Sequence, residues 1–446
     1  MPRFWSIVRQ KPVRASAATG LHTSAAFPTA GATSLDNSQG ASQAVAELLD
    51  SLDAALAQVS IEDDPTIQLT AQLEQLDRNA SSYANSSLDF CSSKKSWECT
   101  ADMANLIKKA WVCAETVYER NITTPSEELK GSGLNIEWYL PSSLNGNIKA
   151  TTLTTFIEPP SYGPGNKPTT YLVIAVRGSA STVDQLVNLN GEPRDASLLF
   201  KHVDQSSSSR DQIPVFQAHA GFLNSARELL APVSAQIEKQ LSKDQKFNIL
   251  FTGHSAGGAV AALLHLALRV KFADVPSSCI TFGSPPIAKL IAEEDKVALD
   301  RIMMQAPILN IVNEYDLVSR LDGGYIRSII QLYNSCPPNY ITRSLYTAEE
   351  TVQKRWPLPP PDLQHLGSIV VLKTELPDLQ LHITKPSEAK TRVTAWSIPP
   401  ESISELVFCQ LQVHKRTYYR EKIEQLADSN CDGTTSTTRA SNTPAT

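Results

Sequence analysis

Between Phe251 and Leu268 the chain reads FTGHSAGGAVAALLHLAL, with Ser255 flanked at two residues on either side by Gly253 and Gly257. A serine hydroxyl becomes a useful nucleophile when a sharp turn lifts it clear of the backbone, and glycines at these positions let a strand and a helix approach closely enough to make that turn. The spacing alone is weak, since short Gly/Ser patterns recur by chance, and an inert tight turn is the competing reading. Context favours the nucleophile. KFNILF, Lys246 to Phe251, is an apolar run of the kind buried on both faces of a parallel sheet, and Ala259 to Leu268 reads as a strongly apolar helix.

Such a serine needs a base within hydrogen-bond reach and an acid to orient that base. Where the serine stands on a strand-turn-helix elbow, the acid and then the base follow it on loops at the ends of later strands. Asp316 closes ILNIVNEYD, the second strand expected after the elbow; its alternative is a solvated acid in a surface loop. Three histidines follow it, His365, His382 and His414. His414, in LQVHKRTYYREKI, stands just before a terminal helix, where a loop-borne base belongs, whereas the other two lie at strand ends. His254, beside the serine, points to the other side of the elbow and is read as structural. An oxyanion formed on acyl transfer calls for two N–H or O–H donors. One is the backbone of Ala256. The loop after YLVIAVRGSAS nominates Ser179 as the second, although its hydroxyl could instead brace that loop.

The elements around these residues alternate. A helix, ADMANLIKKAWVCAETVYER, opens the main domain near residue 100, and strands are expected at ATTLTTFI and TYLVIAVRG. Then come helical GFLNSARELLAPVSAQIEKQL, the elbow strand and helix, strands CITFGSP, PILNIVNEYD and GSIVVLK, and a final helix in HKRTYYREKIEQLA. The pattern predicts an α/β fold, a mostly parallel sheet covered by helices on both faces. Residues 1–38 read as a disordered or targeting segment, 39–78 as a helical extension, 79–99 as a linker, 100–426 as the main domain and 427–446 as a disordered tail. The extension, with an amphipathic leucine face, either packs on the domain or binds a partner.

The 446-residue chain carries a net charge of −6 with 19% charged residues, which gives no reason to expect nucleic acid. It contains no apolar run of about 18 residues that would span a membrane. Seven cysteines without a CxxC pair point to reduced thiols rather than a disulfide framework or zinc site, with Cys91 and Cys99 the one pair spaced to close a small loop. The N-terminus lacks a secretory apolar core, so the sequons at Asn79, Asn85 and Asn121 are expected to stay unmodified. It also carries Arg3, Arg9, Lys11 and Arg14 with no acid before Asp36, so a mildly basic tail and a mitochondrial address both fit; a cytoplasmic location is the first expectation and a mitochondrial one the second.

Taken in order, VRGSASTVDQLVNL, HAGF, GHSAGG, TFGSPPIA, IVNEYDLVSRL, LQHLGSIVVL and HKRTYY resemble the blocks of the class 3, fungal lipase-like members of the α/β-hydrolases, over roughly residues 100 to 426. The resemblance implies an α/β-hydrolase fold and a carboxylester hydrolase acting on a glycerolipid. It assigns Ser255 as nucleophile, Asp316 as orienting acid, His414 as base, and Ser179 with Ala256 as oxyanion donors. It implies no metal or organic cofactor, and no acidic cluster asks for calcium. The partner is a lipid ester, met by transient contact with a membrane or lipid-droplet surface; the oligomeric state stays open. An sn-1 phospholipase, a soluble esterase and a non-catalytic lipase-like scaffold are the rival readings. Gln185 replaces the family's usual tryptophan and Ala256 its usual leucine. Extra segments at 323–362 and 191–218 are lid candidates, the first through Tyr325, Ile326, Ile329, Ile330 and Leu332, the second through Leu198, Leu199, Phe200 and Val203; a surface helix packed on the core is the alternative for each.

Overall fold

The computed structural model describes residues 67–119, 133–143, 148–159, 168–178, 192–200, 215–243, 246–290, 293–335, 354–375 and 392–432. All lie in one compact unit, Gln43–Thr446. Ser179, Gln185, Val203, Asn121 and His382, the segment 1–38, residues 39–66 of the extension and residues 433–446 of the tail fall outside the described residues, whereas residues 427–432, expected within the disordered tail, end the helix Arg416–Asp432.

In chain order the strands are β1 (Lys95–Ser96), β2 (Asn135–Leu140), β3 (Thr151–Glu158), β4 (Thr169–Val176), β5 (Pro193–Asp195), β6 (Phe216–His219), β7 (Asn248–His254), β8 (Ser277–Phe282), β9 (Ala288–Leu290), β10 (Ile308–Asn313), β11 (Ser368–Glu375) and β12 (Arg392–Ile398). Nine of them form one sheet in the order β1-β12-β11-β10-β8-β7-β4-β3-β2, and β5-β6-β9 form a small second sheet. The centre of the large sheet, β4, β7, β8, β10 and β11, is parallel. Its margins are antiparallel, β3 and β2 on one side and β12 and β1 on the other. The marginal strands β2 and β12 were not expected from the sequence.

Strand side chains alternate between two cores, as the period of two demands. Leu172, Ile174 and Val176 of β4 with Ile249 and Phe251 of β7 face the helices α3 (Ala220–Leu241) and α4 (Ala256–Lys271). Val173, Ala175 and Leu250 face α2 (Ala101–Thr116) and α7 (Arg416–Asp432), through Ile107, Trp111, Tyr419 and Ile423. A parallel sheet covered on both faces must be apolar on both, which is why KFNILF and PILNIV carry few polar residues.

Two further helices are α5 (Glu293–Gln305) and α6 (Gly323–Asn334). The apolar face of α6 is already covered. Tyr325, Ile329 and Leu332 pack with Leu73, Leu76 and Ala80 of α1 (Ile67–Ser81) and with Trp356. The helical part of the first lid candidate is therefore a clamped surface helix. In the second, Leu199 and Phe200 are core residues. The stretch 79–99, expected as a linker, is folded against the domain: Asn85 and Leu88 are fully buried, and β1 pairs with β12. Short polar residues read as a linker because their amides and hydroxyls can cap turns, and here they do. Cys91 and Cys99 are both free thiols. Among the described residues no helix is long and apolar enough to cross a membrane.

The chain approaches itself tightly between β4 and α4. A β-carbon added to Gly257 would stand 2.2 Å from Val176 O and 2.7 Å from Gly178 N. Gly257→Ala should therefore lower the unfolding free energy by about 3 kcal/mol, the upper end for overpacking, read as a lower urea midpoint with an unchanged m-value.

Candidate active site

Ser255 is the residue at which β7 becomes α4. Its backbone is held at φ 59 and ψ −135, a left-handed region that costs a non-glycine residue about 1–3 kcal/mol. Burial of α4 offsets that cost: Val260, Leu263, Leu264 and Leu266 are fully buried, each worth about 1.5–3 kcal/mol. Ser255 N donates to Phe282 O at 2.9 Å, and Gly258 N to Ser255 O at 2.9 Å, which closes the first turn. The N–H groups of Ala256 and Gly257 belong to the helix N-terminus, where no intrahelical acceptor exists and the dipole favours negative charge. A Gly178 β-carbon would stand 3.3 Å from Ser255 Cβ, 2.6 Å from His254 O and 2.2 Å from Tyr118 Oη. Glycine at 178 thus brings the chain hard against the elbow, one residue before Ser179, whose own position lies outside the described residues.

Asp316 emerges beyond β10 through a tight turn in which Tyr315 has φ 72. Its carboxylate is fully buried and accepts three hydrogen bonds: from Val318 N at 2.8 Å, His414 Nδ1 at 2.8 Å and Tyr419 Oη at 2.7 Å. Tyr419 Oη in turn accepts from Asn313 N at 3.0 Å, and burial beside Asp316 raises its own pKa well above the phenol range. Because His414 Nδ1–H donates to a carboxylate, the neutral ring presents a lone pair at Nε2. That atom is buried and has no hydrogen-bond partner among the described residues. The Ser255 to His414 hydrogen bond is thus not closed, although the neighbouring His254 ring stacks on His414 with centroids 4.5 Å apart.

His254 braces the His414 backbone. Its Nε2–H donates to His414 O at 3.0 Å, leaving Nδ1 as acceptor towards Tyr118 Oη at 3.5 Å. Burial first, and then the closeness of the His414 ring and of Arg416, holds its pKa well below the imidazole range, so the ring stays neutral. Asn313 Nδ2 also donates to Val413 O at 2.8 Å. The structure pairs His414, and not His365, with Asp316. His365 instead bonds Ser319 O at 2.7 Å and lies 3.3 Å from Asn310 Nδ2, bracing the loop after Asp316.

Two residues around this cluster escaped the sequence reading. Tyr419 was legible as an inward position, since Tyr419, Ile423 and Leu426 recur at helical spacing, but not as a donor to Asp316. Gly283, at φ +56, forms the floor: a β-carbon there would stand 2.8 Å from Asp316 Oδ2 and 3.0 Å from His414 Cε1. Among the described residues no cluster of three or more His, Cys, Asp or Glu is disposed to hold a metal.

A parallel sheet with a serine at the strand-helix elbow, followed in the chain by the acid and the histidine, is the α/β-hydrolase fold. Within that class, residues 173–325 match the family model described as lipase (class 3), a match that includes Ser255 and Asp316 and ends before His414. The chain is 28% identical to Protein EDS1B of Arabidopsis thaliana over 33% of its own length and 24% of that protein's. It is 34% identical to phospholipase A1-IIdelta of the same plant over 22% of its length and 23% of that protein's. It thus spans about a quarter of each of these relatives. Among solved structures, the Rhizomucor miehei lipase propeptide complex aligns over 72% of this chain and 81% of that one, at 17% identity and a TM-score of 0.42.

Two outcomes are expected. Tyr419→Phe leaves Asn313 N–H without its acceptor and Asp316 with one donor fewer, so stability should fall by about 1–3 kcal/mol and any turnover at this site by about tenfold or more, measured by urea unfolding and steady-state kinetics. The second concerns acid. Burial pushes His365 down to about 4 and His265 to about 3, against 6.5 when unfolded. Between these limits the unfolded chain binds more protons, so stability is full above pH 6.5 and declines as pH falls through 6.5 towards 4 and 3. Urea midpoints at pH 7.5 and 5 should show the drop, and His365→Gln should lessen it.

Proposed function

We propose that this chain is a serine carboxylester hydrolase that cleaves acyl esters of glycerolipids through an acyl-enzyme. The observation that carries the reading is the buried Nε2 of His414, unpartnered among the described residues, whose other nitrogen is fixed by Asp316 and whose ring stacks on His254, the residue before Ser255 on its strained elbow. His414 Nε2 takes the Ser255 proton as Oγ attacks the ester carbonyl. The N–H of Ala256 and the hydroxyl of Ser179 receive the oxyanion, and His414 returns the proton to the departing alcohol. Water, deprotonated by the same nitrogen, then attacks the acyl-Ser255 carbonyl and releases the carboxylic acid. Asp316 keeps the imidazole in its tautomer throughout and is never protonated.

The family match supports a lipase. The 34% identity to a phospholipase A1 supports a second reading, an sn-1 phospholipase of the same chemistry. Hydrolysis of emulsified di- and triacylglycerol, phosphatidylcholine vesicles and a chain-length series of fluorogenic esters should separate them. Ser255→Ala should abolish turnover by at least about 10⁴-fold on whichever ester is cleaved. Wild type and Ser255→Ala equally inert on every ester, with both folded, would sink the enzyme in favour of a lipase-like scaffold.

A further inference from the structure

The arm that brings His414 to Asp316, residues 404–411, has little regular secondary structure, so its backbone groups must find partners elsewhere. It is gripped from two sides. From the acid side, Arg320 donates to Ser404 O at 2.8 Å and Leu406 O at 3.0 Å, and Gln410 N donates to Tyr315 O at 2.9 Å. From the other side comes the segment at 77–91, far away in sequence. Asn85 Nδ2 donates to Glu405 O at 2.9 Å and Trp356 O at 3.1 Å, and Val407 N donates to Asn85 O at 2.8 Å. Gln410 Nε2 donates to both carboxylate oxygens of Asp77 at 3.1 Å. Leu88 N reaches Glu314, two residues before Asp316, at 3.0 Å.

Gln410 is the joint of this arrangement. Its backbone forms the bridge to Asp316 that aligns the acid turn with the base arm, and its side chain ends on Asp77. We propose that the N-terminal strap, α1 with residues 82–91, is a positioning element of the catalytic site, in which Asp77 and Asn85 set the register of the His414 arm against Asp316. The proposal rests on reading Asp316 and His414 as acid and base. Asp77 is half-buried at the end of α1 and does not belong to the apolar seam with α6, so its effect on catalysis is separable from its effect on folding.

The test uses the full chain and the best ester substrate. Asp77→Ala should lower kcat by about tenfold or more with KM within about twofold, and displace the acidic limb of the kcat/KM profile, because the base arm shifts relative to the acid. Asp77→Asn keeps an oxygen for Gln410 Nε2–H and should recover most of the rate. If Asp77→Ala does not fold, Gln410→Met removes the same hydrogen bond from the other end and should give the same kinetic signature. A lower urea midpoint with kcat and pH profile unchanged, or a loss that Asp77→Asn fails to rescue, overturns the proposal. Ser255→Ala separates the two levels: activity that survives it removes the catalytic reading itself, whereas activity lost there but kept in Asp77→Ala and Gln410→Met removes the strap alone.

Discussion

A carboxylate with no exposed surface is tolerable only if donors replace the water it has lost, and Asp316 is the group around which the rest of this fold is arranged. Its three donors arrive from three pieces of chain: its own turn, the loop carrying His414, and the first turns of α7. Each must be placed to within a few tenths of an ångström. The strand β10 fixes the origin of the turn, Gly283 leaves room beneath it, and the ring of Tyr419 is wedged against Trp111 at 5.8 Å. Meeting the needs of one buried carboxylate therefore also sets the tautomer of the histidine.

Ser255 is held by a different principle. It depends on its backbone rather than on a side-chain cap: an unfavourable φ persists because the helix after it is among the most deeply buried elements and cannot relax without exposing its leucines. The site thus joins a rigid half, the elbow on the central strands, to an assembled half built from loops and from α1. The two halves meet at the stacked rings of His254 and His414.

What could be read from the sequence mirrors that division. Gly253, Ser255 and Gly257 encode a backbone constraint in residue types, so the elbow was legible. The pairing of Asp316 with His414 was legible from strand-end position and chain order, with His365 a rival until its bonds to Ser319 and Asn310 could be seen. The bond from Tyr419 to Asp316 and that from Gln410 to Asp77 join residues 103 and 333 positions apart and leave no periodicity behind. The strand β12 went unseen because RVTAWSI lies at the margin of the sheet, where burial is partial. The apolar face of α6 was visible, but a sequence does not say what covers a face; α1 does.

The burial of Asn79 and Asn85 reaches beyond packing. Both head Asn-x-Ser sequons, and the nitrogen that a glycan would occupy is, in each, a donor to interior carbonyls, Leu332 O for Asn79 and Trp356 O and Glu405 O for Asn85. A sugar on either nitrogen replaces one of its two N–H bonds and needs space that residues 7% and 0% exposed do not have, so oligosaccharide attachment and the closed strap are alternative fates of the same atom. The order of events then decides between them: a chain that folds first hides its acceptors, whereas one modified while still extended is barred from this arrangement of its Asp316 and His414 loops.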